Sequence, residues 1–342
     1  MNIIKDKEYT WLITGCAGFI GSNILEFLLK NKQSVIGIDN FSTGHKDNLN
    51  DVRKDIGEQA WKRFKFLECD IRNYEQTKLE ITKSLKKGIS IDFLIHQAAI
   101  GSVPRSIEDP VFTHTNNVDG FINILEIAKA LNIAKVIYAS SSSVYGDEKT
   151  LPKVESRVGK LLSPYAASKF INEIYAEIYT YTYGLDITGL RYFNVFGPRQ
   201  DPNGPYAAVI PKWIDSFISN KGIFINGDGL TSRDFCYVEN VVQANILSAL
   251  NCSKNAKARV LNIAFGHQTT LNELSKMIID NLKFLNIKSN FEVNYRDFRE
   301  GDIRHSLADI SNAKKSIKYS PTVDPFTGLK LSMEWYVNKR GI

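Results

Sequence analysis

The sequence predicts an α/β protein organised on a doubly wound parallel sheet. Short apolar segments alternate with segments of helical periodicity through the first half of the chain, and glycine or polar residues follow each apolar segment. Strands that alternate with helices are joined by right-handed crossovers and therefore lie parallel. Because ligands of such sheets bind at the carboxyl ends of the strands, the residues that follow each strand are the candidate site.

The first strand, Trp11 to Thr14, leads directly into the turn Gly15-Cys16-Ala17-Gly18-Phe19-Ile20-Gly21. Apolar residues then recur with helical period. In this setting Gly15 permits a tight turn, Gly18 lets the backbone approach a pyrophosphate, and Gly21 allows the helix to pack closely on the strand. The free N–H groups and the dipole of the helix N-terminus favour phosphate. The pattern predicts a dinucleotide-binding Rossmann unit.

The second strand, Ser34 to Ile38, ends at Asp39, 18 residues after Gly21. A carboxylate there accepts hydrogen bonds from the adenosine ribose and repels a 2′-phosphate, which favours NAD over NADP. The next strands are predicted at Phe64–Glu68, Asp92–His96, Lys135–Ala139 and Asp186–Leu190, and a single long helix at Asp109–Leu131. The residues at the strand ends that we expect to border NAD are Asn40, Asp70, Ile71, Gln97, Ala98 and Ala99, together with Asp39.

A lysine follows a tyrosine by one helical turn in the stretch Ser163-Pro164-Tyr165-Ala166-Ala167-Ser168-Lys169. Pro164 suits the first turn of a helix, so Tyr165 and Lys169 share one face. An ammonium beside a phenol favours the phenolate, which would lower the pKa of Tyr165 towards neutrality and make it a general base. A Tyr-x-x-x-Lys pair alone is a weak signal. The glycine turn, and the serine run Ser140–Ser143 after the fifth strand, give it weight.

Those three features together, with Val144-Tyr145-Gly146 after the serine run, resemble the extended short-chain dehydrogenase/reductase family. The resemblance covers essentially the whole chain. It implies that Ser141, Tyr165 and Lys169 are catalytic, with the serine hydroxyl partnering the tyrosine. It also implies that Tyr165, Lys169 and Tyr192 contact the NAD cofactor.

Motifs further along the chain narrow the resemblance. Gly101–Ser106, Arg191–Gln200, Tyr206–Trp213, Asn226–Gly229 and Ser232–Phe235 resemble the UDP-hexose 4-epimerases, most closely the bacterial enzymes that act on UDP-N-acetylglucosamine in O-antigen and capsule synthesis. This implies reversible conversion to UDP-N-acetylgalactosamine through a 4-keto sugar. The implied substrate-binding residues are Ser102, Ser141, Ser142, Ser143, Asn194, Ala208, Val209, Lys212, Asn226, Arg233, Arg299, Asp302 and Ser306.

The resemblance leaves the sugar open. In the resembling family the position of Ser306 limits the space around the C2 substituent of the sugar, which implies that the small serine here permits an N-acetyl group without requiring one. UDP-N-acetylglucosaminuronate is the main alternative substrate, and UDP-glucose a side activity. A 4,6-dehydratase is disfavoured because that group carries Thr-Asp-Glu where this chain has serines at 141–143. A non-catalytic NAD-binding regulator is the alternative from another class.

Composition limits the remaining possibilities. The net charge of +6 is spread along the chain without the basic clusters of a nucleic-acid surface, and no apolar run is long enough for a membrane span. Four distant cysteines have no metal or disulfide spacing, so we expect no metal and a cytoplasmic enzyme. We expect a NAD-binding domain over residues 1–185. Residues 186–342 are expected to form mainly a smaller mixed α/β lobe that binds the UDP-sugar, with segments of about 230–265 returning to the NAD-binding domain. The resemblance also implies a homodimer, with the helices near 110–131 and 164–183 as candidate contacts.

Overall fold

A computed structural model describes residues 4, 7–85, 88–203, 206–251, 259–298 and 303–340. Its strands are β1 Thr10–Thr14, β2 Ser34–Asp39, β3 Phe64–Glu68, β4 Phe93–His96, β5 Lys135–Ser141, β6 Asp186–Tyr192, β7 Val195–Phe196, β8 Ile223–Asn226, β9 Ser232–Arg233, β10 Cys236–Tyr237, β11 Arg259–Ile263, β12 Thr269–Thr270 and β13 Val293–Arg296. Seven of these form one parallel sheet in the order β3-β2-β1-β4-β5-β6-β11. The predicted doubly wound fold is confirmed.

The helices follow the strands in alternation through the first half of the chain. They are α1 Phe19–Lys30, α2 Lys46–Trp61, α3 Tyr74–Ser84, α4 Val103–Glu108, α5 Pro110–His114, α6 Gly120–Ala130, α7 Pro164–Tyr183, α8 Val209–Ile218, α9 Val238–Leu250, α10 Leu271–Phe284, α11 Ser311–Ile317 and α12 Pro325–Arg340, with a π-helical turn at Thr115–Asp119 and a 3₁₀ turn at Ser142–Tyr145. Within the described ranges, no helix combines the length and the apolar character that crossing a bilayer requires.

The predicted single helix over Asp109–Leu131 is wrong in one respect. The π-helical turn Thr115–Asp119 separates α5 from α6. In that turn the Asn117 amide binds the backbone of Ile100 twice: its Oδ1 accepts from the Ile100 N–H at 2.7 Å, and its Nδ2 donates to the carbonyl at 3.1 Å. Local periodicity cannot reveal an irregularity that is tied to a contact with a distant loop.

Besides the two apolar cores that contain the strands of the large sheet, a further apolar core lies beside it. It is formed mainly by α8, α10, α12 and the short strand β8, around Trp213, Phe217, Ile278 and Met333. Strand β13 pairs with β8 in parallel, and Arg296 lies opposite Asn226. Strand β11, which follows α9 in the chain, returns to the edge of the large sheet. The division of the chain near residue 185 stays a prediction.

The helices that we expect at a dimer interface differ in what they expose. On the α6 side, Val118, Phe121 and Leu125 are buried within the chain, so they serve its core. On α7, Ile174 and Ile178 are 44% and 47% exposed, one helical turn apart. The predicted homodimer stays a prediction, and its apolar surface would come from α7.

Candidate active site

A cavity of about 410 Å³ lies at the carboxyl ends of the central strands, above the turn between β1 and α1; we call it the glycine-loop cavity. It gathers nearly all of the residues that the sequence assigned to NAD. Those that line it are Gly15, Gly18, Phe19, Ile20, Gly21, Asp39, Asn40, Ile71, Gln97, Ala98, Ala99, Tyr165, Lys169 and Tyr192, and Ser141 lines it with them.

The glycine turn leaves room for a ligand close to the backbone. A Cβ on Gly21 would lie 2.0 Å from the Gly15 carbonyl oxygen, so only glycine permits this approach of α1 to β1. Gly15 itself has φ +72°, and a Cβ there would lie 2.6 Å from the Ala98 nitrogen. Helix α1 begins after Gly18 with no side-chain cap and no acidic residue in its first turn. Its N-terminal N–H groups therefore suit a pyrophosphate, and the turn fits NAD.

The two acidic residues predicted for the cofactor are placed differently. Asp39 is 8% exposed in the cavity wall; its Oδ2 accepts from the Ala17 N–H and its Oδ1 from the Phe41 N–H, both at 2.9 Å. Burial raises the pKa of Asp39 above its usual value. A carboxylate oxygen that accepts one bond can accept another, so a ribose hydroxyl can still bind.

The Asp70 carboxylate instead binds Arg72, at 2.6 Å from its Nη2 and 3.0 Å from its Nε, and this hydrogen bonding lowers the pKa of Asp70. Asp70 is not among the residues that line the cavity, whereas its neighbour Ile71 is. Ile71 therefore lines the cavity, whereas the Asp70 carboxylate is hydrogen-bonded to Arg72 and does not.

Helix α7 presents the predicted catalytic residues to this cavity. Its N-cap is Ser163, whose Oγ accepts from the Ala166 N–H at 3.1 Å, and Pro164 occupies the first turn, as predicted. The Tyr165 phenol hydrogen-bonds with Ser141. The Lys169 Nζ donates to the Ala139 carbonyl at 3.0 Å and lies 5.9 Å from the centre of the Tyr165 ring. A phenol, a hydroxyl and an amine therefore meet at the end of β5.

The pKa of Tyr165 differs from the sequence-based expectation of a lowered value. Burial raises the pKa of Tyr165, and the hydrogen bond with Ser141 only partly opposes it. Burial also lowers the pKa of Lys169, to about 8. Burial together with the nearby Lys169 charge lowers the pKa of His96 to about 3, so this imidazole, 2.7 Å from the Thr14 hydroxyl, is neutral at pH 7. Burial, which spacing along the chain does not reveal, sets the direction of the Tyr165 pKa, so the expectation of a lowered pKa is wrong.

The opposite pKa shifts of Lys169 and Tyr165 predict the alkaline side of the pH profile. The reactive phenolate–ammonium pair has lost one proton in total, and the pKa of Lys169 is about 8 whereas that of Tyr165 is raised above its usual value. We therefore expect kcat/KM to rise as the pH approaches about 8 and then to level off, because the ratio of phenolate–ammonium to phenol–amine does not change with pH. Lys169 also keeps the protein folded in this range, since a folded-state pKa below the unfolded value of about 10.5 makes the protein more stable as the pH rises from 8 to 10.5. Activity and circular dichroism are to be recorded together from pH 6 to 10, and a fall of kcat/KM through pH 8 with unchanged circular dichroism would contradict the assignment.

A second cavity, of about 360 Å³, lies among β8, β9, β13 and α8; we call it the arginine cavity. Of the predicted substrate-binding residues, those that line it are Asn194, Val209, Lys212, Asn226 and Arg233. Val195 lines the glycine-loop cavity and Asn194 the arginine cavity, so the two are bordered by consecutive residues. A ligand in the arginine cavity therefore lies beside the site that holds Tyr165.

Arg296 lines this cavity and is not among the residues that the sequence predicts for it. Its Nε donates to Asn226 Oδ1 at 2.5 Å, and its guanidinium lies 5.5 Å from the centre of the exposed Phe224 ring. Only the parallel pairing of β13 with β8 brings these residues together, and no local pattern announces that pairing.

The remaining predicted residues lie elsewhere or outside the described part of the chain. Arg299 and Asp302 lie outside the described residues. Within the described part, neither cavity is lined by Ser102, Ser142, Ser143, Ala208 or Ser306. Ser143 nevertheless contacts the site, since its Oγ donates to Ser141 Oγ at 2.9 Å.

Ser306 lies next to the arginine cavity through its backbone. Its N–H donates to the Ser232 carbonyl at 3.1 Å, and Arg233 follows on the same strand. The neighbouring His305 places Nδ1 2.9 Å from the Ser232 hydroxyl, so this histidine is hydrogen-bonded within the protein.

Comparison with known proteins agrees with this geometry. The model of the NAD dependent epimerase/dehydratase family matches residues 11–264. The chain is 37% identical to a putative UDP-glucose 4-epimerase of Methanocaldococcus jannaschii, over 96% of this chain and 98% of that one.

Two solved structures are similar over almost their whole length. One is a UDP-N-acetylglucosamine 4-epimerase from Methanobrevibacter ruminantium in complex with UDP-N-acetylmuramic acid, with a TM-score of 0.85, 39% identity and coverage of 97% of this chain and 99% of that one. The other is a UDP-glucuronic acid 4-epimerase from Bacillus cereus in complex with UDP-glucuronic acid and NAD, with a TM-score of 0.81, 32% identity and coverage of 96% and 99%. This chain belongs to the NAD dependent epimerase/dehydratase family.

Proposed function

We propose that the protein is a UDP-sugar 4-epimerase that interconverts UDP-N-acetylglucosamine and UDP-N-acetylgalactosamine. The observation that carries this proposal is the position of Tyr165, Ser141 and Lys169 in a cavity that fits NAD, next to a second, cation-lined cavity that the consecutive residues Asn194 and Val195 separate from it. That arrangement suits the oxidation and reduction of one carbon of a ligand anchored beside it.

The arginine cavity has the chemistry of a nucleoside diphosphate site. Lys212, Arg233 and Arg296 line it, and guanidinium groups bind phosphate oxygens in a bidentate manner. Phe224 and Asn226 supply a flat apolar ring and an amide, which suit a planar base with hydrogen-bonding edges. With the diphosphate held here, the sugar extends past Asn194 towards Tyr165.

Each of the proposed catalytic residues has a separate role at the C4 hydroxyl of the sugar. Tyr165 takes the hydroxyl proton in its ionised form, with Ser141 bridging; because burial raises the pKa of Tyr165, this ionisation depends on positive charge beside the phenol, to which Lys169 contributes. When bound, NAD supplies a hydride acceptor and a positive charge that further favours the phenolate. Rotation of the 4-keto sugar within the site then exposes its other face, and Tyr165 returns the proton as the inverted alcohol forms.

The sugar preference is tested by incubating the purified protein separately with UDP-N-acetylglucosamine, UDP-N-acetylglucosaminuronate and UDP-glucose, with the products separated by chromatography. We expect the highest kcat/KM with the acetamido hexose and weak activity with UDP-glucose, since the family resemblance implies that a small residue at position 306 admits an acetamido group. A higher kcat/KM with the uronate would replace the proposed substrate by the alternative one. Absence of turnover with all three would favour the non-catalytic regulator.

A further inference from the structure

A buried ionic cluster lies directly beneath the catalytic residues and is not used in the reaction. The Glu173 carboxylate accepts from Arg191 Nε at 2.9 Å, from Arg191 Nη2 at 2.7 Å and from the Ser140 hydroxyl at 2.5 Å. Glu173 is 8% and Arg191 3% exposed. We call these three residues the Glu173 cluster.

Ser140 itself lines the glycine-loop cavity, and each member of the Glu173 cluster is next to, or one helical turn from, another residue of the site. Ser140 precedes Ser141 at the end of β5, and Arg191 precedes Tyr192 at the end of β6. Glu173 follows Lys169 by one turn of α7. The cluster therefore joins β5 and α7, which carry the reacting groups, to β6, which carries Tyr192.

The arginine is fixed from further sides. Its Nη1 donates to the Glu155 carbonyl at 3.2 Å, and its guanidinium lies 4.8 Å from the centre of the Tyr145 ring. The Tyr145 hydroxyl in turn donates to Asn262 Oδ1 at 2.6 Å, on β11. These contacts hold the Arg191 guanidinium in the orientation in which it binds Glu173.

Stability alone does not account for such a pair. Burying two charges costs several kcal/mol each, and apolar residues of similar volume often stabilise a fold as well or better. A bidentate pair does fix geometry more sharply than apolar packing. Resting on the proposed function, we propose that Glu173 is a positioning residue, which through Ser140 and Arg191 holds Ser141 and the Tyr165–Lys169 pair in reactive alignment.

The chain contains a matched control at the other end of the same strands. Lys135 Nζ lies 3.0 Å from Asp186 Oδ2, and these residues are register partners at the starts of β5 and β6, about 16 Å along the strand from Ser140. This pair is also largely buried. It joins β5 to β6 as the Glu173 cluster does, without bordering the site.

The test compares Ser140→Ala and Glu173→Gln with Asp186→Asn in the NAD-loaded protein. We expect the first two to lower kcat about 10- to 100-fold with KM nearly unchanged, since misplacement by about 1 Å costs that much. Asp186→Asn should lower the thermal midpoint and leave kcat unchanged. Unchanged kcat in Ser140→Ala and Glu173→Gln, or a fall in all three variants in proportion to their loss of stability, would overturn the proposal.

A double variant covers the case in which Glu173→Gln does not fold. Replacing the pair together, Glu173→Leu with Arg191→Met, removes both charges and should restore stability. We expect kcat to stay low in this folded protein, and a return to the unmodified value would overturn the positioning role.

Amide hydrogen exchange separates this proposal from the proposed function. If the unmodified protein turns over no UDP-sugar, the proposed function has failed, and the positioning role is then decided by exchange at residues 140–145 and 165–169. We expect exchange there to be faster in Ser140→Ala than in Asp186→Asn. Equal exchange in the two variants would overturn the inference.

Discussion

Replacing Tyr165 with phenylalanine is expected to reduce kcat by about 10²- to 10⁴-fold, the usual contribution of a positioned general acid–base group. The phenol is the ionisable oxygen that the structure places beside Ser141 in the glycine-loop cavity. Phenylalanine keeps the ring and its packing, so the variant should still bind NAD. Because only one hydrogen bond is lost, its free energy of unfolding should fall by about 1 kcal/mol.

Helix α7 supplies a matched control for this substitution. Tyr181 lies on the same helix and is 92% exposed, so Tyr181→Phe makes the same chemical change away from the site. Turnover is to be measured by chromatography of the UDP-sugars, and bound NAD by its release on denaturation. Epimerisation by Tyr165→Phe at the rate of Tyr181→Phe would show that another group moves the C4 hydroxyl proton.

The predicted site residues that the structure brings together in one cavity come from short local segments. The glycine turn, Asp39, and the Pro164 start of α7 each depend on a few neighbouring residues whose conformational preferences agree with the fold. Parallel strands then bring their carboxyl ends to one edge, so residues far apart in the chain share a cavity without any long-range information.

The parts that could not be predicted depend on tertiary contacts. Arg296 enters the arginine cavity because β13 pairs with β8, and the π-helical turn accompanies the contact between Asn117 and Ile100. The direction of the Tyr165 pKa follows from burial, which no spacing reports. The Glu173 cluster likewise unites two strands and a helix through side chains that the sequence shows only as separate polar residues in apolar segments.

The hydrogen bound to C4 of the sugar is expected to be retained during epimerisation. The proposed reaction removes this hydrogen and returns it to the same carbon from the other side, and no solvent proton takes part at carbon. Tyr165 exchanges only the hydroxyl proton. We therefore expect the carbon-bound hydrogen to stay within the site through the whole cycle. A mechanism by deprotonation at carbon would instead exchange it with water.

The most direct measurement uses UDP-N-acetylglucosamine carrying deuterium at C4 of the sugar, in ordinary water, with the product examined by nuclear magnetic resonance and mass spectrometry. The account predicts UDP-N-acetylgalactosamine with essentially all of the deuterium still at C4. Product that has lost the deuterium to solvent would contradict transient oxidation at C4, and with it the roles assigned to Tyr165, Ser141 and Lys169.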